Sequence, residues 1–442
     1  MGTLYIDSGG SADNSGSTDT NTADLSGSAC TVAASVVTLD GSPDLSGLVT
    51  SGATQSTINI NGATNTNTTI FWITAVDNVL KTVTVSVAPT GVTTNAWKIG
   101  GRHLLTNNRI EAALRAGDTA IFNNDPAAQS ASHWTFRNAG DVTSGFAKIK
   151  GKTGVRPRLN GTSTNTTVSV GGLSLCWIEN LEIDQDGASG AGVTLNGTGC
   201  VAYNVKVSDA GGNGITISAA GVRVIGCEIT GVGADGINTS GTAFIIGNYV
   251  HDVTGDGIEH SAGGAIGAIV HNIIDTCAGR GVFLSGAPTT YSHGVLIYGN
   301  TVYNCDNSGI EVTDADTVAT IMNNILQDNG DAAGESNIEW AAGSAEFTSF
   351  HAWNTLYNNS GADAPIGFTA NNQVSGTELT TDPLMIDPAN GDFRLQVSSP
   401  AKAAGFPGQF LGGGSSIGYL DLGAVQRREV SMAPGNMSGG LQ

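Results

Sequence analysis

Charge is scarce in this chain of 442 residues: Asp, Glu, Lys and Arg together make up 13% of it, about half the usual share. The basic side is the scarcer, with 18 Lys and Arg against 38 Asp and Glu and a net charge of −20. Phosphate backbones are bound by clustered cations, so nucleic acid is excluded as a partner. The same surplus of acid repels anionic lipid surfaces. No stretch approaches about eighteen uninterrupted apolar residues, so membrane insertion is not expected. The opening "MGTLYIDSGGSADNSG" has neither the basic region nor the apolar core of a secretory signal. Cys30, Cys176, Cys200, Cys227, Cys277 and Cys305 show no CxxC or other metal spacing. They read as buried thiols of a protein folded in a reducing cytoplasm. No phosphate loop, Ser-His-Asp arrangement or metal motif is present, so neither a cofactor nor a metal is expected.

What the chain has in quantity is glycine, 63 residues of it, with abundant Ser, Thr and Asn between short Val and Ile runs. The hydrophobic fraction of 40% suffices for a core. This texture implies an all-β fold with many turns.

The glycines are periodic. "GVTL" at 192, "GITI" at 214, "GINT" at 236, "GIEH" at 257, "GVFL" at 281 and "GIEV" at 309 are continued by "NIEW" at 337, in steps of 22, 22, 21, 24, 28 and 28 residues. A second series keeps a fixed offset, seven residues ahead of the glycine: Val207, Ile229, Val250, Ile274 and Val302. A unit of 22 residues that carries two or three strands has no room for a helix. Each unit is therefore one turn of a solenoid, and successive turns pair as parallel strands. Two positions before the second marker stand Asn248, Asn272, Asn300 and Asn324, which predict a stacked amide ladder. Cys176 with Cys200, and Cys277 with Cys305, fall at matching places in adjacent turns and predict stacked thiols.

These units, "GNTVYNCDNSGIEV" at 299–312 most clearly, resemble the right-handed parallel β-helix repeat of the pectate-lyase-like superfamily. The run "DPLMIDPANGDFRLQVSSPAKAAG…GYLDLGAVQ" over 382–426 resembles the closing segment of many β-helix proteins, departing from it at Lys402 and Ala403. The resemblance covers residues 117–426 and implies the fold. It leaves function open, because the scaffold hosts lyases, hydrolases, isomerases and non-catalytic spikes.

Three regions follow. Residues 1–103 read as a small N-terminal β domain, with strands in "ASVVTLDG" and "AWKIGG" and a hairpin turning near Asp77–Lys81. The first thirty residues read as solvated loop. Residues 104–395 read as a short capping helix over 104–116, plugging the end of the solenoid, and then the β-helix from the strand "GDTAIF" onward. Residues 396–442 read as closing segment and tail.

Alternation within strands predicts which side chains face outward. Val250 and Ile258 point in, so Tyr249, His251 and Glu259 point out. His260 points in, and Asp252 and Asp256 sit at turns. The position after Gly-Ile/Val gives an outward column of Thr194, Thr216, Asn238, Glu259, Phe283, Glu311 and Glu339. At about 4.8 Å per turn, Glu311 and Glu339 approach the carboxylate separation of a retaining glycosidase. Glu259, Glu311 and Glu339 are thus the candidate catalytic carboxylates. Glu259, Phe283, Glu311, Glu339, His251 and Tyr303 are the candidate glycan contacts, Phe283 as a stacking face. Beside them, Asp235, Asp256 and Arg280 form an acid–acid–base column. The bland alternative is a solvated polar surface.

The order of N-terminal β domain, plug, β-helix and closing segment resembles bacteriophage spike proteins, whose N-terminal part attaches to the particle. The implied function is a virion structural protein: a homotrimeric spike, fibre or decoration subunit, made in the host cytoplasm, bound to other virion proteins through its N-terminal domain and contacting cell-surface polysaccharide. The alternative is a polysaccharide-degrading enzyme, a glycoside hydrolase or lyase of the same fold.

Overall fold

The computed structural model describes residues 3–11, 25–51, 55–61, 70–91, 95–99, 113–123, 134–161, 164–261, 267–285, 293–313, 317–330, 335–340, 349–359, 377–406 and 421–426. Three parallel sheets of eleven, nine and nine strands wrap one continuous core. A single turn shows the winding. Val222–Ile225 lies on face 1, Glu228–Thr230 on face 3 and Ile237–Thr239 on face 2, after which Ala243–Ile246 begins the next turn on face 1. Among the described residues no helix is long and apolar enough to cross a membrane.

Packing explains the two sequence periods. A Cβ added at Gly214 would lie 2.4 Å from Ile229 Cγ2, and one at Gly236 would lie 2.3 Å from Val250 Cγ1 and 2.6 Å from the Gly257 carbonyl. Each glycine thus gives way to the β-branched residue of the following turn, which is fully buried. Corners obey a separate rule. Leaving face 1, one residue per turn adopts a left-handed conformation: Asn180, Asn204, Gly226, Gly247, His271, Gly299, Asn323 and Trp353. The residue that follows points into the corner. In the early turns it is Leu181, Val205 and Cys227; from Asn248 onward it is asparagine.

These two glycine environments predict opposite outcomes. Gly236→Ala should cost about 3 kcal/mol, since one of the clashing atoms is backbone and the turns must separate. Gly247→Asn should be close to neutral, because nothing lies within 4 Å of its added Cβ and Asn204 and Asn323 hold the same corner elsewhere. Chemical denaturation of both variants checks the contrast; equal losses would contradict the packing account.

The asparagines form the expected ladder. Asn248 Nδ2 donates to Asn272 Oδ1 at 2.9 Å, Asn272 Nδ2 to Asn300 Oδ1 at 3.0 Å and Asn300 Nδ2 to Asn324 Oδ1 at 3.0 Å. It runs on to Asn354 and ends on the Glu378 carboxylate. The six cysteines are buried free thiols, and Cys200 Sγ lies 3.2 Å from the Leu173 carbonyl that Cys176 also approaches.

The N-terminal sheet has seven antiparallel strands with a core of its own. The expected hairpin joins Ile70–Asp77 to Thr82–Val85, its turn fixed by Asp77 Oδ1 accepting the Val79 and Leu80 N–H groups. The sheet is joined to the solenoid through Trp72, whose indole N–H donates to the Ala113 carbonyl at 2.8 Å. The Arg115 guanidinium lies over the same ring. Of the capping helix expected over 104–116, residues 104–112 lie outside the described residues. Ala113 and Leu114 are buried in the solenoid core.

The beginning of the chain departs from expectation. Thr3–Ser11 is not loop but the outermost strand of face 1, paired in parallel with Thr119–Phe122. "GDTAIF" is therefore the second strand of that sheet, and part of residues 1–103 belongs to the solenoid. At the other end, Met385–Asp387 pairs antiparallel with Asp392–Leu395 and packs with the closing segment. That segment packs against the outside of face 3, with Met385, Phe393, Ala401 and Leu422 forming a small second core over Ile325. Asp421 of "DLGA" accepts the Ala403 N–H, and Ala403 takes a left-handed conformation there.

Candidate functional site

Face 2 sets the expected column. Thr194, Thr216, Asn238, Glu259, Phe283, Glu311 and Glu339 are Cα partners in unbroken register. They alternate with the buried Ile258, Val282, Ile310 and Ile338, so period-2 patterning directs them outward.

The turn before each strand supplies partners. Asp235 Oδ1 accepts the Asp256 N–H at 3.0 Å, and Asp256 Oδ1 accepts the Arg280 N–H at 2.7 Å. This second column is a chain of side-chain oxygens, each holding the backbone of the next turn. Arg280 then folds across face 2. Its Nε donates to Glu311, Nη1 lies 3.6 Å from Asp256 Oδ2, and the guanidinium sits 3.8 Å from the centre of the Phe283 ring. Phe283 therefore carries a cation–π contact on the face expected to stack on a sugar. Glu339 accepts from Ser308 Oγ at 2.6 Å, and Glu259 accepts from Ser285 Oγ at 2.8 Å and from Asn238 Nδ2. The three glutamates are thus held by four different donors.

Asp235, Asp256 and Glu259 bring one carboxylate oxygen each within 4.8 Å of one another. Asn238 Nδ2 bridges two of them, donating to Asp235 Oδ2 at 2.9 Å and to Glu259. Burial pushes the Asp256 carboxyl above the usual range, the Arg280 backbone and charge opposing it. Glu259 is pushed up by burial, then by contact with Asp235 and the Asp256 charge. The sequence columns contained all three acids; the serine donors were missed. Ser285 and Ser308 lie outside the outward column, and Ser308 serves the glutamate of the following turn.

His251 and Tyr303 are not brought to this surface. Both lie on face 3, the strand set that carries the second period, so the seven-residue offset places them around a corner from the glutamates. There Tyr249 stacks on His251 at 4.1 Å, and Tyr249 and Tyr303 pack edge-on against Phe393 of the closing segment. His251 Nδ1 is 2.7 Å from Asp252 Oδ2. His260 is buried as expected, Asp252 takes a left-handed turn conformation, and Asp256 binds the backbone.

Residues 166–290 match the family model described as "Right handed beta helix region". This chain carries a right-handed parallel β-helix. Among solved structures of like fold, the pectate lyase Pel9A is 13% identical over 72% of this chain and 90% of its own, with a TM-score of 0.47. Geobacillus virus E2 ORF18 is 13% identical over 60% of this chain and 52% of its own, with a TM-score of 0.42. The Dettilon tailspike protein is 17% identical over 60% and 58%, with a TM-score of 0.36. No curated protein matches the chain at a significant level. At these identities the likeness is one of fold.

The acid cluster of the β-helix has a titration consequence. A carboxyl whose folded pKa is raised binds its proton at a pH where the unfolded chain has released it. Stability then rises as pH falls through the window just above about pH 4. Asp40, lowered by the Trp97 hydrogen bond, and Asp141, lowered by the Ser144 N–H, act oppositely at lower pH. The melting temperature should therefore pass through a maximum in mild acid. Glu259→Gln should raise it at pH 7.5, with Oε1 accepting from Asn238 and Nε2 donating to Ser285 Oγ in place of the carboxylate's two acceptances, and the gain should vanish near pH 4. A variant that melts lower than the parent at pH 7.5 would show that the Glu259 charge is stabilising.

Proposed function

We propose that the chain is a structural protein of a bacteriophage particle: a spike, fibre or decoration subunit, assembled as a homotrimer and located on the virion. In this reading the N-terminal sheet attaches to other virion proteins and the β-helix projects as a shaft. Surface polysaccharide of the host is met on face 2 by Glu259, Glu311 and Glu339 with Arg280, Phe283 lying beneath the guanidinium. One observation favours a scaffold over an enzyme: Glu311 is tied to Arg280 and Glu339 to Ser308. A glycosidase needs one carboxyl poised as acid and another as nucleophile or base, and a Glu311 carboxylate engaged by Arg280 is not poised as the acid.

The second reading, a polysaccharide-degrading enzyme, has the Asp235–Asp256–Glu259 cluster in its favour, because raised carboxyl pKa values are what a general acid requires. Two measurements separate them. Purified particles should contain the chain at stoichiometric copy number, and reproducible absence would end the virion reading. The parent protein should release no reducing ends or unsaturated sugars from host capsule. Release that is lost in Glu259→Gln or Glu339→Gln would establish the enzyme instead.

A further inference from the structure

The outer surface of face 1 does not look like the other two. Seven of its strands, from Val201–Tyr203 to Phe350–Ala352, contain no Asp or Glu, and Arg223 is their one Lys or Arg. In a chain with 38 acids that is a marked exclusion. Faces 2 and 3 carry Glu259, Glu311 and Glu339, and Glu228 and Asp275, at equivalent strand positions. On face 1 the outward positions form an apolar column in continuous register: Tyr203, Ile225, Ile246, Val270, Tyr298 and Met322. A parallel column passes through Phe244, Ala268 and Leu296. None of these nine side chains is buried, and Tyr203 and Leu296 are 43% and 39% exposed.

We infer that this stripe is the surface through which copies of the chain associate. Its extent, seven strands about 4.8 Å apart and about 13 Å long, gives roughly 400 Å² of flat area. That is the scale of the largest apolar patch on a typical monomer, about 300–600 Å², and such a patch is often functional. Each partner in a standard interface contributes about 800 Å², apolar at its centre and polar at its rim, so the stripe supplies the centre. Charge selects the partner. Two copies that each carry −20 repel wherever their acids meet, and these seven strands of face 1 are a long surface on which they do not.

The fold also treats such residues consistently elsewhere. On face 3 the outward Tyr249, Ile273, Tyr303 and Ile325 are covered by the closing segment. On face 1 the described residues of that segment touch the stripe at Tyr298, through Phe406, which also meets Asn323. A symmetry axis running beside face 1 would bury the stripes of all copies together. This takes up the trimer of the proposed function, but it rests on the stripe alone; absence from virus particles would leave it untouched.

Light scattering of the full chain at micromolar concentration should give two or three times the monomer mass. Ile246→Lys should reduce it to the monomer with an unchanged β circular-dichroism spectrum, and Tyr203→Lys, at a more exposed position, guards against a folding defect in the first. Thr216→Lys on face 2 should leave the mass of the parent. A monomeric parent would overturn the inference, as would an oligomer indifferent to both face 1 lysines. If deleting residues 407–420 turned a monomeric parent into an oligomer, that segment would be the occupant instead.

Discussion

Asn300→Leu should destabilise the protein by about 2–4 kcal/mol. Asn300 is fully buried and engages four groups. Its Nδ2 donates to the Ile269 carbonyl at 2.8 Å and to Asn324, while its Oδ1 accepts the Asn272 N–H at 2.8 Å and Asn272 Nδ2. Leucine leaves the Asn272 N–H and the Ile269 carbonyl without these bonds, and half-empties the Asn272 amide. Each stranded group costs about 1–3 kcal/mol, against about 1.5–3 kcal/mol regained by burying the new side chain. The corner itself tolerates apolar residues, since Leu181 and Val205 fill it in earlier turns. What fails is the junction between leucine and amide. Changing Asn272, Asn300 and Asn324 together should therefore cost less than three times the single change. Equilibrium denaturation measures both. An unchanged midpoint for Asn300→Leu would mean that the ladder contributes nothing, whatever its geometry.

The ladder also shows what kind of information the sequence exposes. Asn248 to Asn324 were readable because solenoid packing imposes one residue type at one place in each turn. Asn354 and the terminal Glu378 belong to the same ladder but lie beyond the last unit of the glycine series at 337, and Glu378 breaks the residue type, so the repeat does not announce them. The glycine series was readable for the same reason, a steric demand repeated every turn. The outward column on face 2 followed from strand alternation, and its register held from Thr194 to Glu339. Its chemistry did not follow. Whether Phe283 meets solvent is decided by the rotamer of Arg280, and periodicity carries no information about rotamers. His251 and Tyr303 lie on a different face from the glutamates for a related reason. Phe393, which covers Tyr303 and the Tyr249 stacked on His251, comes from a segment some ninety residues beyond Tyr303, and no local pattern encodes that contact. Apolar character on face 1 was present in the sequence throughout. It became visible only once register showed which residues face outward.

The last prediction concerns Thr3–Ser11, which a repeat search passes over because the strand occurs once and lies more than a hundred residues from its partner. Deleting residues 1–11 should leave a chain that aggregates, with a melting temperature well below that of the parent. Two losses combine. Leu4 is fully buried among Ala120, Ile149 and the rest of the solenoid core, and emptying its site costs about 2–5 kcal/mol, as for a large-to-small core change. The pairing of Thr3 to Ile6 with Thr119 to Phe122 also disappears, baring one edge of an eleven-stranded parallel sheet. An unpaired edge of that kind is a template for intermolecular strand addition. Leu4→Ala keeps the strand and loses only the packing, so it should melt early yet remain soluble. The difference between the two variants isolates the edge. If the truncated chain stays soluble and melts with the parent, the first strand is an ornament on the solenoid and its end is protected by other residues.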